Sequence, residues 1–118
     1  MKNENLEIIT NPGKRDGLRI LALKGRLNIE TVARFQDAIG RENAPEVIID
    51  MSGVRSMDSA GLGVMIAAYV RAKKASSKLG FAGMNERVKA VADTSRLSQF
   101  LQIYANVTDA EVALSKAQ

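Results

Sequence analysis

Cysteine and histidine are both absent from the 118 residues. Without cysteine there can be no disulfide, thiolate metal site or thiol nucleophile. The redox compartment stays open, since a reducing cytosol asks for nothing more. Without histidine there can be no Ser-His-Asp triad, His-ligated zinc or phosphohistidine relay. The two absences together argue against an enzyme of acyl or proton transfer. Aromatics are scarce too: two Tyr, three Phe and no Trp. That is too few to interleave with basic residues as a single-strand nucleic-acid groove requires. The longest apolar run, VMIAAYV at 64–70, falls far short of the ~20 residues of a membrane span. The opening MKNENLEIITNPGKRDG holds no apolar signal-peptide core. The expectation is a cytoplasmic protein with no membrane insertion, no direct nucleic-acid contact and no metal or other cofactor.

The length fits a single domain, 1–118, with a core that needs no staples. Net charge is +4. The basic residues are scattered, except for Arg71, Lys73, Lys74 and Lys78 around one predicted helix end, where they complement its dipole.

Along the chain, strands alternate with helices. Leu6, Ile8 and Thr10 alternate with Glu7 and Ile9; Leu18, Ile20 and Ala22 alternate with Leu21 and Leu23. Period two predicts strands over 6–10 and 18–24, paired through the turn formers of NPGKRDG (11–17). Asn28 is a good N-cap, followed by Val32, Phe35 and Ile39 at helical spacing and Gly40 as a stop. EVIID (46–50) suits a short strand buried on both faces, after which Asp50 would bond the loop amides of Met51 to Val54. Leu62, Met65, Ile66, Tyr69 and Val70 mark the best amphipathic helix, with Asp58 as its N-cap and Met57 and Leu62 as a hydrophobic staple. LGFAG (79–83) and FLQIY (100–104) read as short strands on either side of a helix capped by Asn85. A last helix takes Thr108 and Glu111 as capping box and Val107 and Val112 as staple, before a frayed SKAQ. The order β-β-α-β-α-β-α-β-α predicts an α/β fold: a mainly parallel mixed sheet of four to five strands packed with about four helices.

Few stretches carry chemistry. Gly61-x-Gly63 begins like a dinucleotide fingerprint, but Ile66 stands where the third glycine belongs, so close packing of helix on sheet is the better reading. MDSAG lacks the first glycine of a nucleophile elbow, and no histidine could serve as base. Asp50 ends a strand as a receiver aspartate does, without the acidic pair that would hold Mg²⁺ there. That leaves Ser59. A serine at a helix mouth is ordinarily a cap, yet Asp58 is the better cap and frees the Ser59 hydroxyl. A phosphate on Ser59 would add about −1.5 to −2 charge beside Asp58 and the helix dipole, enough to switch an interface off. Ala60 and Gly61 are small enough to let a partner approach the backbone.

The stretch VIIDMSGVRSMDSAGLGVMIAAYVRAKK (47–74) resembles the signature of STAS domains, and in particular of anti-sigma factor antagonists. It has an apolar strand ending in Asp, a loop, then Asp-Ser-x-Gly-Leu-Gly opening a helix. LKGRLNIETVARF resembles the family's Gly-x-Leu-Asp and following helix, and the likeness covers about residues 6–115. The resemblance implies a STAS fold and a partner switch. The unphosphorylated antagonist captures a GHKL-type anti-sigma serine kinase and so releases the sigma factor. Phosphorylation of the serine after the aspartate, here Ser59, ends the capture, and a PP2C-type phosphatase resets it. It also implies partner contacts at Asn28, Met57, Asp58, Ala60, Gly61 and Leu62. Two positions depart from the pattern. Asn28 stands where the family usually has Asp, and Ala60 where a second serine often follows, leaving Ser52 and Ser56 as other nearby acceptors. The basic isoelectric point, about 9.6, is not implied by this role. A different implication of the same likeness is a STAS scaffold, in a stressosome-like or lipid-transport complex, that is not regulated by phosphate.

Overall fold

The computed structural model describes residues 6–116; Ala117 and Gln118, the end of SKAQ, lie outside them. In chain order the elements are β1 (Glu7–Pro12), β2 (Leu18–Leu27), α1 (Val32–Arg41), β3 (Glu46–Met57), α2 (Ser59–Lys74), β4 (Lys78–Ala82), α3 (Glu86–Ala92), a 3₁₀ turn (Arg96–Phe100), β5 (Ile103–Tyr104) and α4 (Val107–Lys116). The sheet order is β1-β2-β3-β4-β5. β1 runs antiparallel to β2 and every other pair is parallel.

Alternation along the strands splits the core in two. Leu21 and Leu23 of β2 and Ile49 and Met51 of β3 face α1, α2 and α3, where Phe35, Leu62, Met65, Val88 and Ala92 close the larger cluster. Leu18 of β2 and Ile48 of β3 point the other way, into a smaller cluster with Ala110 and Leu114 of α4. β3 is thus buried on both faces, as its continuous apolar run predicts. The five strands and four helices match the α/β architecture expected from the sequence.

Several boundaries differ. β3 does not stop at Asp50. It continues to Met57 because its parallel pairing with β2 survives two register shifts and ends at Leu27↔Met57. Asp50 accepts only the Ser52 amide, at 3.0 Å, within that strand. α1 runs through Gly40 to Arg41, and its first residue is Val32 rather than one next to Asn28. Val70 is 43% exposed, because eight residues on from Leu62 carry it about 80° round the helix. Only Ile103 and Tyr104 of FLQIY are strand; Phe100 ends the 3₁₀ turn. α4 begins one residue before Thr108, and Asn106 caps it by accepting the Asp109 amide at 2.7 Å. Glu111 and Val112 therefore do other things: Glu111 is buried and Val112 is exposed.

Candidate functional site

Two chain reversals meet at the carboxyl ends of β2 and β3. Leu27 and Met57 are paired there, and the Asp58 amide donates to the Leu27 carbonyl at 3.1 Å. The loop 28–31 after β2 and the mouth of α2 after β3 thereby become neighbours. Open parallel sheets place ligand and partner sites at such carboxyl ends.

Asp58 joins the two. Its Oδ1 accepts the amides of Ala60 at 3.0 Å and Gly61 at 3.3 Å, which makes it the N-cap of α2. Its Oδ2 accepts the Ile29 amide at 3.2 Å. With the cap supplied by Asp58, Ser59 is left exposed, and no hydrogen bond engages its hydroxyl among the described residues. The same bonds commit the first-turn amides at 60 and 61. A phosphate on Ser59 would meet the helix dipole and the Asp58 carboxylate, not a free nest of those amides.

The facing loop is held as firmly. Asn28 Oδ1 accepts the Glu30 amide at 2.9 Å and the Thr31 amide at 3.2 Å, capping the turn that leads into α1 instead of the helix itself. Thr31, buried to 4% exposure, donates its hydroxyl to the Arg26 carbonyl at 2.7 Å and accepts the Asn28 amide at 3.0 Å. These bonds leave the Ile29 side chain 73% exposed.

Of the residues read as partner contacts, Asn28, Asp58 and Ala60 lie half-buried around exposed Ser59. Met57, Gly61 and Leu62 are buried beneath it and position it from below. Gly61 has a definite packing reason: a Cβ there would sit 2.7 Å from Met57 Cγ and 2.8 Å from Leu27 Cγ. Gly63 has none, since its added Cβ would meet nothing within 4 Å, so close packing explains only the first of the two glycines. Ser52 is exposed and Ser56 half-buried on β3. Ile29 and Thr31 were not legible as site residues. A lone Ile in a polar turn carries no periodicity, and a buried Thr looks like any other.

Other chemistry is not gathered here. Among the described residues no cluster of Asp and Glu could hold a metal ion. A cavity of about 300 Å³ lies at the far end of the sheet, between the last turns of α1 and α2, bordered by Ile39, Pro45, Arg71 and Ser77. No helix among the described residues is long and apolar enough to cross a membrane.

The model of the STAS domain matches residues 11–110. The chain belongs to the STAS domain family. Among curated relatives, the anti-sigma F factor antagonist of Paenibacillus polymyxa is 29% identical over 98 residues, covering 80% of this chain and 84% of that protein. The anti-sigma-B factor antagonist of Staphylococcus epidermidis is 24% identical over 104 residues, 86% of this chain and 93% of that one. Among solved structures, an anti-sigma factor antagonist from Mycobacterium paratuberculosis superposes with a TM-score of 0.86 at 20% identity, covering 98% of both chains. The same fold forms 23% of the murine solute carrier 26 family member A9 anion transporter, where 98% of this STAS chain is covered with a TM-score of 0.75 at 14% identity.

Proposed function

We propose that this STAS protein is an anti-sigma factor antagonist, a single-domain cytoplasmic binding module switched by phosphate on Ser59. The observation that carries the reading is the free, exposed Ser59 hydroxyl beside an Asp58 that has taken over the capping role. In the unphosphorylated state the surface of Asn28, Asp58, Ser59 and Ala60 docks on a GHKL-type anti-sigma serine kinase, and the sigma factor is released. The kinase then modifies its captor. The Ser59 oxygen attacks the γ-phosphorus of ATP, the bond from that phosphorus to ADP breaks, and the hydroxyl proton passes to a base on the kinase. The product carries about two negative charges next to the Asp58 carboxylate. Like charges and the cost of desolvating them oppose docking, and the complex separates. A PP2C-type phosphatase restores the hydroxyl by hydrolysis.

Little refolding is needed, because among the described residues no hydrogen bond to the Ser59 hydroxyl stands in the way of a phosphate. Asn28 in place of the family's usual Asp removes one negative charge from this face, so the phosphate itself must supply most of the repulsion.

Intact-mass spectrometry tests the reading. The wild-type chain and Ser59→Ala are incubated with Mg-ATP and each GHKL-type anti-sigma kinase of the host genome. One added phosphate that is lost in Ser59→Ala, together with retained binding by Ser59→Ala and weakened binding by Ser59→Glu, is the expected result. Binding abolished by Ser59→Ala would show that charge is not the switch. Binding without any added phosphate would make the protein an unregulated antagonist.

A further inference from the structure

We propose that Ile29 is the apolar anchor of the Ser59 face, inserting into a hydrophobic pocket on the anti-sigma kinase and supplying a hot-spot share of the affinity that phosphorylation then overrides. The inference rests on the docking reading above and adds to it a residue, a contact chemistry and a division of labour.

A single exposed Ile is ordinary on any protein surface. Three features set this one apart. First, among the described residues Ile29 is the most exposed of the large hydrophobic side chains, at 73%, and the others lie on other elements: Ile9 on the edge strand, Val70 near the end of α2, Leu97 and Phe100 on the 3₁₀ turn, Val112 on α4. Second, it is tied to the acceptor. Its amide donates to Asp58 Oδ2 at 3.2 Å, so Ile29 and Ser59 belong to one surface held by one carboxylate. Third, it is rigidly presented. Asn28 and Thr31 lock the turn on both sides of it, and its β-branched side chain has few rotamers to lose. An anchor of this kind loses little entropy on binding. Its neighbours are polar: Asn28 and Glu30 flank it in sequence, and Asp58, which binds its amide, precedes exposed Ser59, the mix of one apolar projection and polar surroundings found at the centre of a protein interface.

The arrangement separates holding from switching. Ile29 contributes the same apolar contact whether or not Ser59 carries phosphate. A phosphate beside it must be stripped of water for that contact to form, so a small chemical change at Ser59 acts on the whole anchor. Exposed Gly63, one turn beyond Ser59, leaves room on the same side of α2 for the partner to close over the face.

The test compares wild type, Ile29→Val and Ile29→Ser as full-length chains. Affinity for the same GHKL-type anti-sigma kinases with Mg-ADP is measured by surface plasmon resonance, the KM and kcat of Ser59 phosphorylation in a coupled assay, and thermal melting as a control. Ile29→Ser is expected to weaken capture about ten- to hundred-fold, chiefly through faster dissociation, as loss of an interface hot spot does. It should raise KM with kcat kept at saturation and leave the melting curve in place. Ile29→Val should stay within about three-fold of wild type. Ile29→Ser binding like wild type overturns the anchor and leaves the antagonist reading standing. A loss of affinity that comes with a lowered melting temperature and is not restored by Ile29→Val assigns Ile29 a structural role and also overturns it. A wild-type chain that binds none of the kinases overturns both readings.

Discussion

Asp58 and Ile29 stand 29 positions apart in sequence and are joined by a 3.2 Å hydrogen bond from the Ile29 amide to Asp58 Oδ2. The other oxygen of the same carboxylate caps α2 through Ala60 and Gly61. One side chain thus does two structural tasks, and in doing both it keeps Ser59 out of either.

The first prediction follows from those two tasks. Asp58→Ala removes the cap and the loop tether together, and should cost about 1–2 kcal/mol, the upper part of the range for a lost N-cap. Asp58→Asn keeps an oxygen at the cap but turns an NH₂ donor toward the Ile29 amide, so it retains the cap, loses the tether and should cost less than Asp58→Ala. Urea denaturation at constant m-value reads both. Equal losses in the two variants would show that the tether to Ile29, lost in both, outweighs the cap.

Two glycines two residues apart should respond in opposite directions. Gly61→Ala places a methyl 2.7 Å from Met57 Cγ and 2.8 Å from Leu27 Cγ, with the Leu27 carbonyl oxygen at 3.1 Å. Such overpacking costs about 1–3 kcal/mol. Gly63→Ala enters open space in the second turn of α2. It should stabilise the fold by about 0.5–1 kcal/mol, the helix-propensity difference between the two residues. Thermal melts of the pair check the signs.

The architecture was legible where one periodicity ran uninterrupted. The period-two runs of β2, the doubly apolar start of β3 and the Asp58 cap of α2 all stand where the pattern puts them. Extensions and edges were not legible. Met51 to Met57 is strand because β2 lies beside it, a pairing partner that no local pattern shows. β5 shrinks to two residues because only Ile103 and Tyr104 find partners on β4. The site was half legible. Ser59 and Asp58 announce themselves as a motif, whereas Ile29 and Thr31 become part of it only when Leu27 is laid against Met57. At the C-terminus a capping-box pattern at Thr108 and Glu111 lost to Asn106, two residues earlier, and Glu111 instead accepts the Lys14 amide.

Thr31 supports the face from inside. Its hydroxyl satisfies the Arg26 carbonyl and the Asn28 amide, and the residue is 4% exposed. Thr31→Val keeps the shape and strands both backbone groups, which should cost about 1–3 kcal/mol. Thr31→Ser restores the hydroxyl and should recover most of that loss. Hydrogen exchange at the amides of 28–31 provides the local readout: Thr31→Val should open this loop while the strands keep their protection. Uniform loss of protection across the chain would mean that the turn is part of the global folding unit.

Glu111 ties the hairpin turn to α4 at the opposite end of the sheet. Its Oε2 accepts the Lys14 amide at 3.2 Å, its carbonyl accepts Arg15 Nη1 at 3.0 Å, and Arg15 pairs in turn with Glu46. The carboxylate is buried to 7% exposure, so removing it strands the Lys14 amide and weakens the hold of α4 on the smaller core cluster. Glu111→Leu should cost about 1–3 kcal/mol, the penalty for a buried group left without its partner. Glu111→Gln retains an acceptor oxygen and should cost less than half as much. Because Ser59 lies at the other end of β3, neither variant should alter the affinity of the folded protein for the kinase partner proposed above. Stability from urea melts and binding by surface plasmon resonance must therefore separate: stability falls and the dissociation rate stays put. A change in dissociation rate without a change in stability would place part of the docking surface at this end of the sheet.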